Sequence, residues 1–145
     1  MLVSSDRFGA LEIAVERLLH FPDGLLGFPS SHRFALIDSA DTGIYFWLQS
    51  VDDPTLAFLS VVPFAFFPDY QLDLSTDDEQ AMGLASPADA LVLCLLTVVH
   101  SDTSVKENHI TANLLGPIVV NKVSRVGRQI ILADSGYPVR APLAA

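Results

Sequence analysis

The residues with reactive potential are few, and their spacing argues against a reaction centre. The histidines are His20, His32, His100 and His109. None has a helical i, i+4 partner or a cysteine at the spacing that builds a metal site. Each falls at a strand end or turn. Asp52 and Asp53 are adjacent carboxylates, but they precede Pro54 in a turn, where acids bond to their own backbone. A catalytic carboxylate pair needs one desolvated member. Cys94, the single cysteine, lies between Leu93 and Leu95, and a thiol in such apolar surroundings is unreactive. Ser50 and Ser60 sit in strand patterns with no adjacent histidine. "GLLGF" at 24–28 lacks the following helix that a phosphate-cradling loop requires. No enzyme chemistry is expected, and no metal or cofactor.

Charge is more informative. The net charge is -9, and no Lys or Arg stands between Arg33 and Lys106. Eleven acids occupy that span: Asp38, Asp41, Asp52, Asp53, Asp69, Asp73, Asp77, Asp78, Glu79, Asp89 and Asp102. Phosphate backbones require cations, so direct nucleic-acid binding is excluded. A basic protein would be steered toward the acidic middle; the competing reading is that these acids only keep an apolar chain in solution. "KVSRVGRQ" at 122–129 is a second, basic patch or a solvated hairpin.

The elements that position these residues read mainly as strands. Apolar runs rich in β-branched and aromatic residues fall at 11–15, 17–21, 33–38, 44–51, 56–62, 90–99, 109–114, 117–121 and 128–134, separated by Gly, Pro, Asp and Asn turns. In 33–38, Phe34 and Leu36 alternate with Arg33, Ala35 and Ile37. One helix is clear in "STDDEQAMGL": Ser75 or Thr76 caps it, Asp78 or Glu79 completes a capping box, acids suit the first turn, and Gly83 stops it. A short turn at 86–89 follows, with Pro87 behind Ser86. The expected fold is a mainly β, single-domain (1–145) antiparallel barrel-like or sandwich structure, with one or two short helices at about 75–89 and an irregular tail from about 136. No apolar run has the ~20 residues of a membrane-spanning helix, and no signal peptide is evident. The chain is expected to be a soluble cytosolic protein without membrane association.

The stretch "PFAFFPDYQLDL" at 63–74 puts four aromatics beside two acids with no cation. Read as an edge strand bracketed by Pro63 and Pro68, it sends Phe64 and Phe66 one way and Phe67 the other. Tyr70, Leu72 and Leu74 then alternate with Asp69, Gln71 and Asp73. It is either a docking edge for a basic, partly apolar segment or a core strand with solvated acids opposite. As a docking face it runs from Phe64 to Glu79, with Phe67 and Tyr70 as apolar anchors and Asp69, Asp73, Asp77, Asp78 and Glu79 as the charge. The rival class is a small-ligand-binding or catalytic barrel, for which only Gln49, Ser60 and Thr97 offer inward polar groups.

Six segments occur in a familiar order: "HFPDGLLGF" (20–28), "LQSVDDPTLAF" (48–58), "PFAFFPDYQLDL" (63–74), "LLTVV" (95–99), "TANLLGPIVVN" (111–121) and "GRQIIL" (127–132). Together they resemble the FliW family of flagellar assembly factors, from about residue 8 to Tyr137. The resemblance implies a compact antiparallel β-barrel-like fold and a small cytoplasmic, non-enzymatic regulator of flagellum biogenesis. Such a protein binds the translational repressor CsrA, a basic RNA-binding dimer, away from its RNA groove, and also binds flagellin. The two partners then exchange, so that flagellin controls its own translation. The family pattern places an acid after the "FPDY" tyrosine. Gln71 stands there in this chain, flanked by Asp69 and Asp73.

Overall fold

The computed structural model describes residues 1–72, 74–99 and 109–143. The chain starts with a hairpin, β1 (Leu2–Ser5) and β2 (Gly9–Glu12). A curled antiparallel sheet follows: β3 (Leu19–His20), β4 (Arg33–Asp38), β5 (Tyr45–Ser50), β6 (Ala57–Val61), β7 (Ala90–Val99), β8 (His109–Ala112), β9 (Ile118–Asn121), β10 (Gly127–Gln129) and β11 (Ala141–Pro142). The helix α1 (Thr76–Met82) enters between β6 and β7. The strand order is β10-β9-β7-β6-β5-β4-β3, with β8 on β7 and β11 on β8. The end strands approach each other. His20 N–H donates to the Arg125 carbonyl at 2.9 Å, and His20 and Val126 form a parallel bridge. The sheet is thus a half-barrel whose two edges touch at one point.

β7 is the centre of the fold, and its unbroken apolar sequence has a geometric cause. It pairs through Ala90–Leu93 with β9 and through Leu96–Val99 with β8. β8 and β9 run the same way along β7, and the "NLLGP" segment at 113–117 leaves the sheet between them. Leu93 enters one core with Leu19, Phe21, Phe34, Leu48, Ile118 and Val120. Its neighbour Cys94 enters a second core with Val61, Tyr70, Met82, Val119 and Leu132. Successive side chains of a strand point to opposite faces, so β9 and the first part of β7 pack on both sides and carry no polar alternation, while Thr97 and Val98 at the far end of β7 are exposed. Each fully buried Phe or Leu contributes roughly 1.5–3 kcal/mol.

The outer strands do not alternate cleanly in burial: Phe34 and Ala35, on opposite faces of β4, are both fully buried. Phe34 packs into the first core with Leu36 beside it, while Arg33 at the strand's start pairs with Asp52 at 2.6 Å. The N-terminal hairpin, which the sequence reading did not anticipate at 2–5, is held by Ser5 Oγ donating to Gln49 Oε1 at 2.7 Å. Its turn places Phe8 edge-on to Trp47 and the Arg7 guanidinium 4.3 Å from the Trp47 ring.

Several expected strands change. Val15–Arg17 is a 3-10 turn, and only Leu19–His20 of the 17–21 run is strand. Residues 130–134 leave the sheet after β10, although Ile130 and Leu132 still donate to the Pro117 and Leu115 carbonyls. The tail expected to be irregular is anchored: β11 pairs with β8, and the Tyr137 ring packs at a tilt against Tyr70, 4.7 Å between centroids. The largest correction concerns 63–74. Pro63–Ala65 is a 3-10 turn, and no described residue from 66 to 74 is in a strand. Pro63 and Pro68 lack the N–H groups a ladder needs, and the aromatics here cover the second core instead of extending the sheet.

Candidate protein-docking surface

The segment from Phe64 to Glu79 is a covering layer over β7 and β9. Phe66, Phe67, Leu72 and Leu74 pack against the second core, half-buried. Tyr70 is 5% exposed. Its hydroxyl donates to the Leu114 carbonyl at 2.6 Å, and the Gln71 N–H donates to the Tyr137 hydroxyl at 2.8 Å. Burial pushes the Tyr70 phenol well above its ordinary range, and the neighbouring Cys94 adds to the shift. Tyr70 therefore does not stand out as a surface anchor, contrary to the sequence reading. It is the peg that fixes the layer to the "NLLGP" segment, and it does so because a buried phenol must find a partner. Aromatics and acids coexist here because Phe66, Phe67 and Tyr70 pack on the core while Phe64 and Asp69 face water.

Helix α1 forms the end of the layer. Of the two expected caps, Ser75 serves: its Oγ accepts from the Asp78 N–H at 3.0 Å. Asp77, Asp78 and Glu79 fill the first turn, where the helix dipole favours them. Gly83 at φ 62° ends the helix, a left-handed position suited to glycine. The last carbonyls are met from outside the helix. Asn121 Nδ2 donates to the Met82 carbonyl at 2.9 Å and to the Gly83 carbonyl at 3.3 Å. Asn121 Oδ1 accepts from Val123 N–H at 2.9 Å and Ser124 N–H at 3.2 Å. One buried amide thus ties α1 to the β9–β10 turn.

Three open depressions surround the layer. An apolar groove of about 480 Å³ is lined by Phe64, Leu72, Leu74, Leu84 and Val92, with Glu79 at its wall. Phe64 is 42% exposed there. A depression of about 320 Å³ lies among Phe67, Asp69, Tyr70 and Tyr137. A third, about 540 Å³, lies between Gln71, Ser75, Asp78 and residues 130–135. Asp69, Gln71, Asp77 and Glu79 are exposed. Asp78 is partly covered and faces Arg128 Nη1 at 3.7 Å, so part of its charge is compensated. Asp73 lies outside the described residues. The structure therefore brings Phe64, Phe67, Asp69, Gln71, Asp77, Asp78 and Glu79 onto one layer, with Tyr70 beneath it. Sequence reasoning missed Asn121, Tyr137 and Arg128. The available signal was an asparagine closing the apolar run "IVV" and a lone tyrosine in an irregular tail.

The other reactive types are occupied structurally. Asp53 accepts from the Thr55 N–H and hydroxyl, which holds its carboxyl below the usual range. His32 Nδ1 lies 3.0 Å from the Phe21 carbonyl O. Burial pushes the Cys94 thiol up to about 12. Of the inward polar groups, Gln49 Nε2 faces the carbonyls of Ser50 and Leu56, and Ser60 Oγ donates to the Phe46 carbonyl. Thr97 is exposed. Among the described residues no three His, Cys, Asp or Glu side chains converge, and no helix is long and apolar enough to cross a membrane.

These features define a class: a mainly β, half-barrel protein whose uncommitted groups lie on an acidic, partly apolar outer layer. Comparison with known proteins narrows it. A profile described as "FliW protein" matches residues 2–143, and the chain belongs to the FliW family. It is 40% identical over 143 residues to the "Flagellar assembly factor FliW" of Moorella thermoacetica, covering 99% of this chain and 88% of the relative. It is 35% identical to the same-named protein of Treponema denticola, covering 100% of this chain and 95% of the relative. A solved structure described as "Crystal structure of the flagellar assembly factor FliW" superposes with a TM-score of 0.86 at 30% identity, covering 100% of this chain and 98% of the other. The expected barrel-like fold and family are thereby borne out.

Proposed function

We propose that this protein is a cytoplasmic, non-enzymatic regulator of flagellin synthesis. It captures CsrA on the layer from Phe64 to Glu79, binds flagellin, and passes between the two partners. Membership in the FliW family supports the flagellar role. The observation that carries the CsrA reading is charge. Asp69 and Glu79 stand exposed at apolar depressions and Asp77 is exposed on the first turn of α1, in a span with no cation between residues 33 and 106. A basic RNA-binding dimer is the partner such a surface attracts.

The acidic layer also accounts for antagonism without occlusion. A net charge of -9 held beside CsrA disfavours phosphates within about 8 Å, the Debye length at physiological salt. Exchange requires that flagellin and CsrA weaken each other's binding, and linkage makes that weakening equal in both directions. The test is a competition assay. The complex with purified CsrA is formed first, flagellin is titrated in, and free CsrA is measured by its recovered RNA binding. Release of CsrA with rising flagellin is the expected result. A stable ternary complex that retains CsrA would refute the exchange.

A further inference from the structure

The acidic layer has a smaller counterpart of opposite sign. The 3-10 turn Val15–Arg17 meets the β9–β10 turn, where Arg125 Nη2 donates to the Arg17 carbonyl at 2.7 Å. Arg33 pairs with Asp52, Arg128 faces Asp23 and Asp78, Arg7 lies over Trp47, and Lys122 Nζ donates to the Ala88 carbonyl. Arg17 and Arg125 form no ion pair among the described residues, although the chain has 17 acids and 8 Lys and Arg. They are also close to each other: burial, and then the Arg17 charge, lowers Arg125 from its ordinary range. Arg125 Nε is a buried donor without a partner, an arrangement that folded proteins generally avoid. Two exposed aliphatics flank the pair, Val15 at 59% and Val123 at 78% exposure.

We propose that Arg17 and Arg125, with Val15 and Val123, form a docking surface for an acidic, partly apolar segment of another protein. Guanidinium forks match carboxylates in geometry and charge, and the exposed valines, each two residues before an arginine, supply apolar contact. Charge selects the occupant. A nucleic acid would bring a phosphate at every step against a chain of net charge -9, whereas a peptide carboxylate brings one or two. The surface shares no residue with the layer from Phe64 to Glu79 and does not depend on the reading of that layer.

The probe is a short blocked peptide of glutamate and leucine, with its glutamine–leucine counterpart and an oligouridylate as controls. Binding is followed through the arginine side-chain N–H resonances. The glutamate peptide should shift Arg125 Nε–H saturably. Arg17→Gln should weaken it about fivefold without moving the melting temperature, and Arg140→Gln should leave it unchanged. The proposal is overturned if the glutamine peptide binds equally or the oligouridylate binds tighter. An equal loss in Arg140→Gln, or sedimentation showing a second copy of this chain on the surface, overturns it as well.

Discussion

Replacing Asn121 with alanine tests how the acidic helix is held. The side chain is 5% exposed and makes four hydrogen bonds: two to the final carbonyls of α1 and two from the β9–β10 turn. The bonds to the Met82 carbonyl and from the Val123 N–H, both 2.9 Å, are worth about 1 kcal/mol each; the longer two are worth about 0.5 each. Alanine restores none of them, so the loss is about 3 kcal/mol. For a domain of this length that lowers the melting temperature by about 10 °C. Asn121→Asp sharpens the test. It keeps the acceptor toward Val123 but sets a charge against the negative pole of α1, so it should be more destabilising at neutral pH than at pH 3. Urea and thermal unfolding followed by circular dichroism measure both variants, and amide exchange at Gly83 and Leu84 reports the local effect. An alanine variant melting within about 2 °C of the parent would show that α1 is held by something other than this amide.

Reversing Asp69 and Asp73 to lysine together should weaken CsrA binding, with a smaller loss at high salt; unchanged affinity in a titration would remove this layer from the proposed function. Tyr70→Phe strands the buried Leu114 carbonyl and should cost about 1.5 kcal/mol, read as an earlier urea midpoint. Cys94 gives a pH dependence. Its folded pKa is raised from 9.0 to about 12, so the unfolded thiol releases its proton first. Stability from this group is complete below pH 9 and declines as pH rises from 9 to 12, by at most about 1.4 kcal/mol per pH unit. Cys94→Ala should flatten that decline, and the native thiol should resist alkylation at pH 8.

Local chemistry decided much of this protein from the sequence alone. Strands 33–38 and 44–51 announced themselves through β-branched and aromatic residues bounded by turn formers, although both of their faces are partly covered: the neighbours Phe34 and Ala35, and Leu48 and Gln49, are all buried. The helix was legible from Ser75 through Gly83, since capping and a left-handed stop are properties of a few adjacent residues. The absence of Lys and Arg between Arg33 and Lys106 marked the acidic layer without any coordinates. The layer's path could not be read. "PFAFFPDYQLDL" has strand-like spacing, but its fate depends on a second apolar face of β7 and β9 that exists only once those strands pair. Tyr70 is buried because Leu114, 44 residues away, presents a carbonyl there. Asn121 caps a helix 39 residues earlier for the same kind of reason. Period and composition report what a residue tolerates. Which partner it meets is set by chain closure over long separations, and only the folded sheet supplies that.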